Sequence, residues 1–200
     1  MHGARIFHTM KKDKEKVVFR AGNTLNPTPV VMVTCGTSVA DCNIITIAWT
    51  GTICSDPPMC YISVRPERHS YDIIKENKEF VINLVDEKLA AQTDWCGVRS
   101  GSKFNKFLEA GLTPAHAEKV KAPIIAESPV NIECVVKEII PLGSHDMFLA
   151  EVVSVSVDAA LIDKKDTLRL DKANLVCYSH GHYYTLGKML GKFGFSVKKH

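Results

Sequence analysis

The sequence predicts a mainly β fold, in which antiparallel strands form a β-barrel with a few short helices. Short runs of β-branched and aromatic residues recur along the chain and are separated by turn residues. The helical segments between them are brief, and many strands with few helices are typical of an antiparallel barrel. No Gly-x-Gly-x-x-Gly follows any predicted strand, which disfavours a dinucleotide-binding Rossmann domain.

Length and composition are those of a soluble globular protein, with 200 residues, 46% of them hydrophobic and 24% charged. The formal net charge of +3 is too small to indicate a nucleic-acid partner. No run approaches the roughly 18 apolar residues of a membrane span, and no secretory signal is apparent. We therefore expect a cytoplasmic protein with no nucleic-acid or membrane partner, a polar lead-in at residues 1–16 and one domain at 17–200.

The seven cysteines are odd in number and include no Cys-x-x-Cys pair. Cys60 and Cys134 alternate with aliphatic residues, as structural thiols do in a reducing compartment. An iron–sulfur cluster on Cys35, Cys42, Cys54 and Cys60 is the alternative, but its spacings match no compact ligand run. His180 and His182 form a His-x-His pair of a kind that can bind a metal, but hydrogen bonding is the commoner role of two histidines in a glycine-flanked loop. We predict no metal site.

The predicted elements follow the hydrophobic pattern. Strands are expected at 17–19, from 30 to Gly36, at 43–50, at 60–65 and at 79–85, with a hairpin of 130–140 and 147–157. Helices are expected at 71–77, 87–94 and 103–110, with a loop at 96–102. In the first hairpin strand, the pattern places Asn131, Glu133 and Lys137 on a solvent-facing side.

The chemistry concentrates between residues 43 and 70. In the strand 43–50, Thr46, Ala48 and Thr50 form a strip of small side chains against which a flat ring would fit. The next strand delivers Ser63 and Arg65 to a basic turn, where Ser70 is the predicted N-cap of the helix 71–77. A helix N-terminus with a hydroxyl and guanidinium groups suits a phosphate. A phosphate and a flat ring together suggest flavin mononucleotide (FMN).

These patterns assign candidate binding roles to individual residues, and a non-functional interpretation of each stays open. The phosphate ligands are Ser63, Arg65, His69 and Ser70, and the ring and ribityl contacts are Thr46, Ala48, Trp49 and Thr50. Lys103 and Lys106 are candidates for a cation near the reduced ring, and Asn83 needs a partner that a cofactor edge would supply. The alternatives are a solvated turn that binds nothing, solvated lysines, and a Trp49 that belongs to the core.

The same segments resemble the flavin reductase-like, FMN-binding split-barrel family, and most of all its flavoredoxin branch. The matching pieces, between about Pro27 and Gly187, are Asn43-Ile44-x-Thr46-x-Ala48-Trp49, Pro57-Pro58, Ser63-Val64-Arg65 with His69-Ser70, Glu79-Phe80-Val81-Ile82-Asn83, Ser100-Gly101, Asn105-Lys106-Phe107, Ala110-Gly111-Leu112 and Tyr184-x-Leu186-Gly187. Asn105 stands where the family usually has an aspartate, so any ion pair of that carboxylate is missing here.

The resemblance implies a Greek-key split barrel, a homodimer, and chemistry carried by FMN rather than by a catalytic residue. It adds Asn43 and Val64 to the cofactor-binding residues and places His182 and Tyr183 near the ring or the substrate. The implied function is an oxidoreductase that passes a hydride from NADH or NADPH to FMN and electrons on to flavin, a ferric complex or a redox partner. The alternatives are a flavoredoxin-type electron carrier without NAD(P)H activity, and a non-redox flavin-binding or scaffold protein.

Overall fold

The computed structural model describes residues 16–197. The strands are β1 (Thr28–Pro29), β2 (Val31–Gly36), β3 (Cys42–Ile47), β4 (Thr50–Ser55), β5 (Pro58–Val64), β6 (Glu79–Leu84), β7 (Pro114–Ala115), β8 (Ile124–Ile125), β9 (Val130–Pro141), β10 (Asp146–Val157), β11 (Val176–Ser179) and β12 (His182–Thr185). The α-helices are α1 (His69–Asn77), α2 (Ala90–Val98) and α3 (Lys106–Ala110), and short 3-10 turns lie at Glu87–Leu89, Ala159–Leu161, Leu170–Lys172 and Phe195–Val197. None of the helices in this part of the chain has the length or the apolar character to cross a bilayer.

The main sheet has seven strands in the order β3-β2-β6-β9-β10-β5-β4, and all its neighbours are antiparallel. Its first and last strands, β3 and β4, are separated along the chain only by Ala48 and Trp49. In a flat sheet, six steps of about 4.8 Å would hold these strands far apart. The sheet must therefore curl until its ends meet, and β3 does contact β5, the neighbour of β4, across this closure. This confirms the predicted mainly β barrel.

The core lies on both faces of β2, whose residues are all buried. Inside the curl, Val33, Ile62, Phe80 and Phe148 are fully excluded from solvent and pack with α1. On the outer face, α2 and α3 cover the sheet through a second cluster that includes Met32, Ile44, Leu89, Cys96 and Phe107. The two helices therefore lie against β3, at one end of the sheet.

Several predicted boundaries are wrong. Residues 17–19 are exposed and form no strand, and the predicted strand 43–50 breaks at Ala48 because the sheet closes there. Helix α2 runs through Cys96 to Val98 and takes up the start of the predicted loop. The predicted lead-in lies outside the described residues except for Lys16, which is exposed.

Two helix starts also differ from prediction. Helix α1 begins at His69 with Arg68 at its N-cap position, so Ser70 lies within the first turn and caps nothing. Helix α3 begins at Lys106 rather than at 103, because the side chain of Asn105 accepts a hydrogen bond from the amide of Leu108 at 3.2 Å and caps the helix there.

The predicted hairpin of β9 and β10 is confirmed, but the solvent-facing side of β9 is not. Of the three polar residues predicted there, Asn131 and Glu133 are buried and Lys137 is exposed. The Glu133 carboxylate accepts from the backbone amides of Glu118, Lys119 and Val120 at 2.9, 2.6 and 3.2 Å. The segment 116–121 therefore covers this face, which a local pattern does not reveal.

We expect Glu133→Ala to lower the free energy of unfolding by about 3 kcal/mol, since it leaves backbone donors without their acceptor. Urea denaturation would measure the loss. Glu138→Ala, at an exposed site on the same strand, is the matched control and should change stability by about 0.5 kcal/mol or less. Equal losses in the two variants would contradict a structural role for the buried carboxylate.

Candidate functional site

A trough on the outer side of β3 contains two adjoining cavities. The first, which we call the wide cavity, has a volume of about 390 Å³ and lies over the bend between β3 and β4. The second, which we call the basic cavity, has a volume of about 240 Å³ and lies between the start of α1 and the end of α2. Both cavities are lined by Ile45, Thr46, Arg68, Gly97 and Val98. They therefore form one continuous site.

The last turn of α2 packs directly on β3. The Thr46 hydroxyl donates to the carbonyl of Thr93 at 2.6 Å. A Cβ at Gly97 would lie 3.2 Å from the Thr46 Cβ, so a side chain there would crowd this contact. The glycine allows the helix end to form one wall of the trough while β3, at the end of the sheet order, forms the floor.

Lys106 places a positive charge at the bottom of the basic cavity. Its side chain is 5% exposed, and its Nζ donates to the carbonyls of Ile44 and Cys96 at 2.7 and 2.6 Å. An ammonium has three protons, so one donor remains. Among residues 16–197, the ion pairs are Arg65–Glu67, Lys137–Glu151 and Arg169–Asp171, and none includes Lys106. Burial lowers the pKa of this ammonium.

The rim of the basic cavity adds further polar groups. Arg68, Arg99 and Ser100 line it and are exposed. Behind them, the buried Asn43 donates from Nδ2 to the Ser70 hydroxyl at 2.8 Å. The backbone of Gly101 lies so close that a Cβ there would be 2.2 Å from Asn43 Oδ1. The loop after α2 is thus pressed against the base of α1, and the cavity between them is lined by the cations Lys106, Arg68 and Arg99 and by one carboxylate, that of Glu67.

Aromatic rings surround the wide cavity. Trp49 is 41% exposed and lies against His145, with 4.3 Å between ring centroids. Burial, together with the charges of Arg65 and Arg68, lowers the pKa of His145.

On the other side of the wide cavity, the hydroxyl of Tyr183 donates to Asp94 Oδ1 at 3.0 Å, which links β12 to α2. Burial and this carboxylate raise the pKa of Tyr183 to about 12. The neighbouring Tyr178 meets Tyr183 edge to face, at 5.5 Å between ring centroids. The hairpin of β11 and β12 therefore forms an aromatic wall held to α2 by a hydrogen bond.

Most of the predicted site residues line the trough, but the predicted phosphate ligands do not lie together in it. Those that do are Asn43, Thr46, Ala48, Trp49, Ser63, Val64, Arg65, His69, Ser70, Lys106 and Tyr183. Ser63 and Arg65 line the wide cavity, whereas His69 and Ser70 line the basic cavity. The four predicted phosphate ligands are therefore divided between two compartments. Trp49 is a cavity wall and not a core residue.

Four predicted residues lie elsewhere. Thr50 donates to the carbonyl of Tyr61 at 2.6 Å, and His182 lies on the exposed hairpin with its Nδ1 2.9 Å from the His180 carbonyl. Lys103 precedes α3 and is exposed, so it does not share a helix face with Lys106. The fourth is Asn83.

Asn83 is fully buried and has its partners within the protein. Its amide nitrogen donates to the carbonyl of Met32 at 2.9 Å, and its oxygen accepts from the amide of Ile125 at 2.9 Å and from Asn131 Nδ2 at 2.8 Å. It joins β6 to β2, β8 and β9. The expected hydrogen bond from Asn83 to a cofactor edge is therefore not needed, because other parts of the protein supply its partners.

Sequence reasoning missed the end of α2, the helix cap and the hairpin turn. Asp94, Gly97 and Arg99 belong to a segment interpreted as a short helix and a loop, although its closely spaced glycines and its arginine were a usable signal. Arg68 was not among the predicted phosphate ligands, although the neighbouring His69 and Ser70 were. No local signal marks His145, because only the pairing of β9 with β10 and of β10 with β5 brings this turn to Trp49.

Comparison with known proteins bears directly on this site. The model of the flavin reductase like domain matches residues 23–187, which includes both cavities. The chain belongs to the flavin reductase-like family. One similar solved structure is the flavoredoxin of Desulfovibrio vulgaris (Miyazaki F). It superposes on this chain with a TM-score of 0.85 at 30% sequence identity, and the match covers 92% of this chain and 100% of the flavoredoxin.

Two other proteins share the fold or part of the sequence. A flavoredoxin from Methanosarcina acetivorans has a TM-score of 0.83 at 22% identity and covers 92% of this chain and 98% of that one, which supports the fold. An uncharacterized protein of Archaeoglobus fulgidus is 31% identical over 62% of this chain and 70% of its own length. The predicted family and its flavoredoxin branch are confirmed, and with them the split-barrel fold.

Proposed function

We propose that the trough binds FMN, with the phosphate in the basic cavity and the ring in the wide cavity. The observation that carries this proposal is Lys106, a buried cation without a carboxylate partner among the described residues. A buried charge is costly unless it is paired, and a phosphate is the counter-ion of matching chemistry. The flavoredoxins among the similar structures support the same ligand class.

The residues of the trough would divide the work. Lys106 would hold the phosphate, with Arg68, Arg99 and Ser100 as further donors at the rim. Thr46 and Gly97 line both cavities, so the flexible polyol of FMN would lie beside them. Arg65 and His145 place donors around the ring, and positive charge there favours the reduced, negatively charged form. Bound FMN would supply the hydride and electron chemistry.

The activity that we propose is that of a flavin-dependent oxidoreductase. The protein would take a hydride from NADH or NADPH and deliver electrons to a small-molecule or protein acceptor, such as flavin, a ferric complex or a redox partner. The full-length similarity to a flavoredoxin favours a second candidate, an electron carrier with no direct NAD(P)H activity. Because every cysteine is a free thiol, a reducing compartment is suitable, and we propose the cytoplasm.

We expect NADH or NADPH to bleach the visible absorbance of the FMN-loaded protein in anaerobic stopped-flow mixing. Transfer of a hydride to the ring abolishes that absorbance, so the measurement reports the first half-reaction. If neither nucleotide bleaches the protein while a reduced protein donor does, the protein is an electron carrier and not an NAD(P)H-dependent reductase. A protein that binds no FMN would overturn both functions.

We expect Lys106→Met to weaken FMN binding about a hundred-fold, which corresponds to about 3 kcal/mol. Riboflavin lacks the phosphate, so its binding should change much less. Fluorescence titration with both ligands would measure the difference, and Lys75→Met, at an exposed position of α1, is the control. An equal loss for FMN and riboflavin would exclude the phosphate assignment.

We also propose that the protein is a homodimer. Beyond β12, the chain carries exposed apolar side chains at Leu186, Met189, Leu190, Phe193, Phe195 and Val197. An apolar stretch of this extent is typical of a surface that another protein covers.

Sedimentation should give a particle of two chains, and a chain shortened to end at Gly187 should give a particle of one chain. Residues 188–197 are exposed apart from the half-buried Gly194, so circular dichroism should stay unchanged apart from the lost residues. A full-length chain that sediments as a monomer would rule out the dimer.

A further inference from the structure

A further cavity, of about 590 Å³, lies beside the wide cavity at the bend between β3 and β4. Its walls come from the segment 22–28, from β5 at Tyr61 and from the tip of the β11–β12 hairpin. It shares Ala48, Trp49 and Tyr178 with the wide cavity and no lining residue with the basic cavity. The wide cavity therefore lies between the basic cavity and this one.

This cavity differs from its neighbours in charge, and we call it the neutral cavity. Among the described residues that line it, none is Asp, Glu, Lys or Arg, and the one imidazole, that of His180, is exposed at the hairpin tip. The wide cavity, in contrast, is lined by Arg65, Arg68 and Asp94. A phosphate or carboxylate in the neutral cavity would find no cation to replace its lost hydration. The lining thus disfavours a pyridine nucleotide, free FMN or a ferric carboxylate complex as its occupant.

Three aromatic side chains give the neutral cavity flat walls. Trp49 is the wall that it shares with the proposed ring site. The Tyr61 ring packs over the backbone of Gly51, where an added Cβ would lie 3.2 Å from Tyr61 Cε1. Tyr178 is held edge to face by Tyr183, at 5.5 Å between ring centroids. Aromatic walls fixed in this way favour a flat aromatic ligand, and the cavity volume is in the usual range for a small-molecule site.

The same walls carry uncharged hydrogen-bond donors. The hydrogen bonds of the two wall tyrosines to other side chains use their main-chain carbonyls: that of Tyr178 accepts from the Thr28 hydroxyl at 3.4 Å, and that of Tyr61 accepts from the Thr50 hydroxyl at 2.6 Å. Their phenol hydroxyls therefore remain able to donate. A flat, uncharged ring with carbonyl oxygens matches both the aromatic walls and these donors.

We propose that the neutral cavity binds an uncharged quinone as the electron acceptor. The inference rests on the proposed function, because the walls shared at Trp49 and Tyr178 would bring the acceptor beside a flavin ring in the wide cavity. The quinone ring would stack on the aromatic walls, and its carbonyl oxygens would accept hydrogen bonds from the phenol hydroxyls.

The overall reaction balances with the donor already proposed. NADH or NADPH gives up a hydride, which carries two electrons and one proton, and becomes NAD⁺ or NADP⁺. The bound flavin relays the two electrons, and solvent supplies the second proton. The quinone takes up two electrons and two protons, so that both carbonyls become hydroxyls, and it leaves as the hydroquinone.

The test measures reoxidation of the FMN-loaded protein after anaerobic reduction with dithionite, so it does not depend on NADH or NADPH. The reduced protein is mixed with 1,4-naphthoquinone, which is uncharged, or with 1,4-naphthoquinone-2-sulfonate, which is anionic. The return of the flavin absorbance is recorded against the quinone concentration. The rate should saturate, and the uncharged quinone should reach half-saturation at about a ten-fold lower concentration than the sulfonate.

Two variants of Thr24, an exposed residue that lines the neutral cavity, test its role. Thr24→Trp fills the cavity and should raise the half-saturating concentration of naphthoquinone about ten-fold, with FMN affinity unchanged. Thr24→Lys supplies a cation and should lower the half-saturating concentration of the sulfonate about three-fold. Thr167→Trp, at an exposed position outside the three cavities, is the matched control and should behave as wild type.

Several outcomes would overturn the quinone site. They are a reoxidation rate that rises with quinone concentration without saturating, equal half-saturation for the two quinones, and a half-saturating concentration that Thr24→Trp leaves unchanged. The assignment would also fail if Thr24→Trp slowed reoxidation by riboflavin and by ferric citrate to the same degree, since the segment 22–28 would then border a common entrance to the ring.

A binding measurement separates this inference from the proposed function. If the chain bound no FMN, the proposed function would fail. Calorimetric titration of the same full-length chain with 1-naphthol, a flat aromatic that accepts no electrons here, would still test the cavity. The wild type and Thr167→Trp should bind 1-naphthol, and Thr24→Trp should not. Binding that is equal in all three proteins would exclude the neutral cavity as the site.

Discussion

The Lys106 ammonium, held between the carbonyls of Ile44 and Cys96, is the interaction on which the site depends. It joins α3 to β3 and to α2, so one side chain connects the floor of the trough to two of the elements around it. Neutral carbonyls stabilise the ammonium but leave its net charge uncompensated. The fold therefore places a buried positive charge beneath a cavity whose rim carries Arg68 and Arg99. An anionic ligand is the chemical complement of this arrangement.

The closure of the sheet provides the other constraint. Since β3 and β4 occupy opposite ends of the sheet order and are only two residues apart in the chain, the bend at Ala48 and Trp49 has to lie on the barrel surface. The bend exposes the Trp49 ring and turns it towards His145, so barrel closure itself builds one wall of the wide cavity. Within residues 16–197, β3 has no strand partner on its outer edge, where α2 and α3 pack instead.

Buried polar groups stabilise the opposite side of the barrel without taking part in the trough. Asn83 and Glu133 accept hydrogen bonds from backbone amides of the segment between α3 and β9. Both side chains are fully buried and have partners within the protein, which explains why polar residues are tolerated in otherwise apolar strands. Their role is structural, and it leaves the ligand chemistry to the side of the sheet that carries β3.

Strands β2 and β6, the long hairpin and most of the trough residues could be predicted from the sequence, because they depend on local alternation and on motifs of fixed spacing. Thr46, Ala48 and Ser63 are of this kind. Which side of a strand is covered, and by what, was decided only by the tertiary structure. Glu133 is buried because a distant segment folds over it, and Lys106 and Lys103 separate because Asn105 caps the helix between them. His145 reaches Trp49 only through strand pairing. Periodicity reports the local conformation of a chain, whereas burial and cavity walls depend on contacts between residues far apart in sequence.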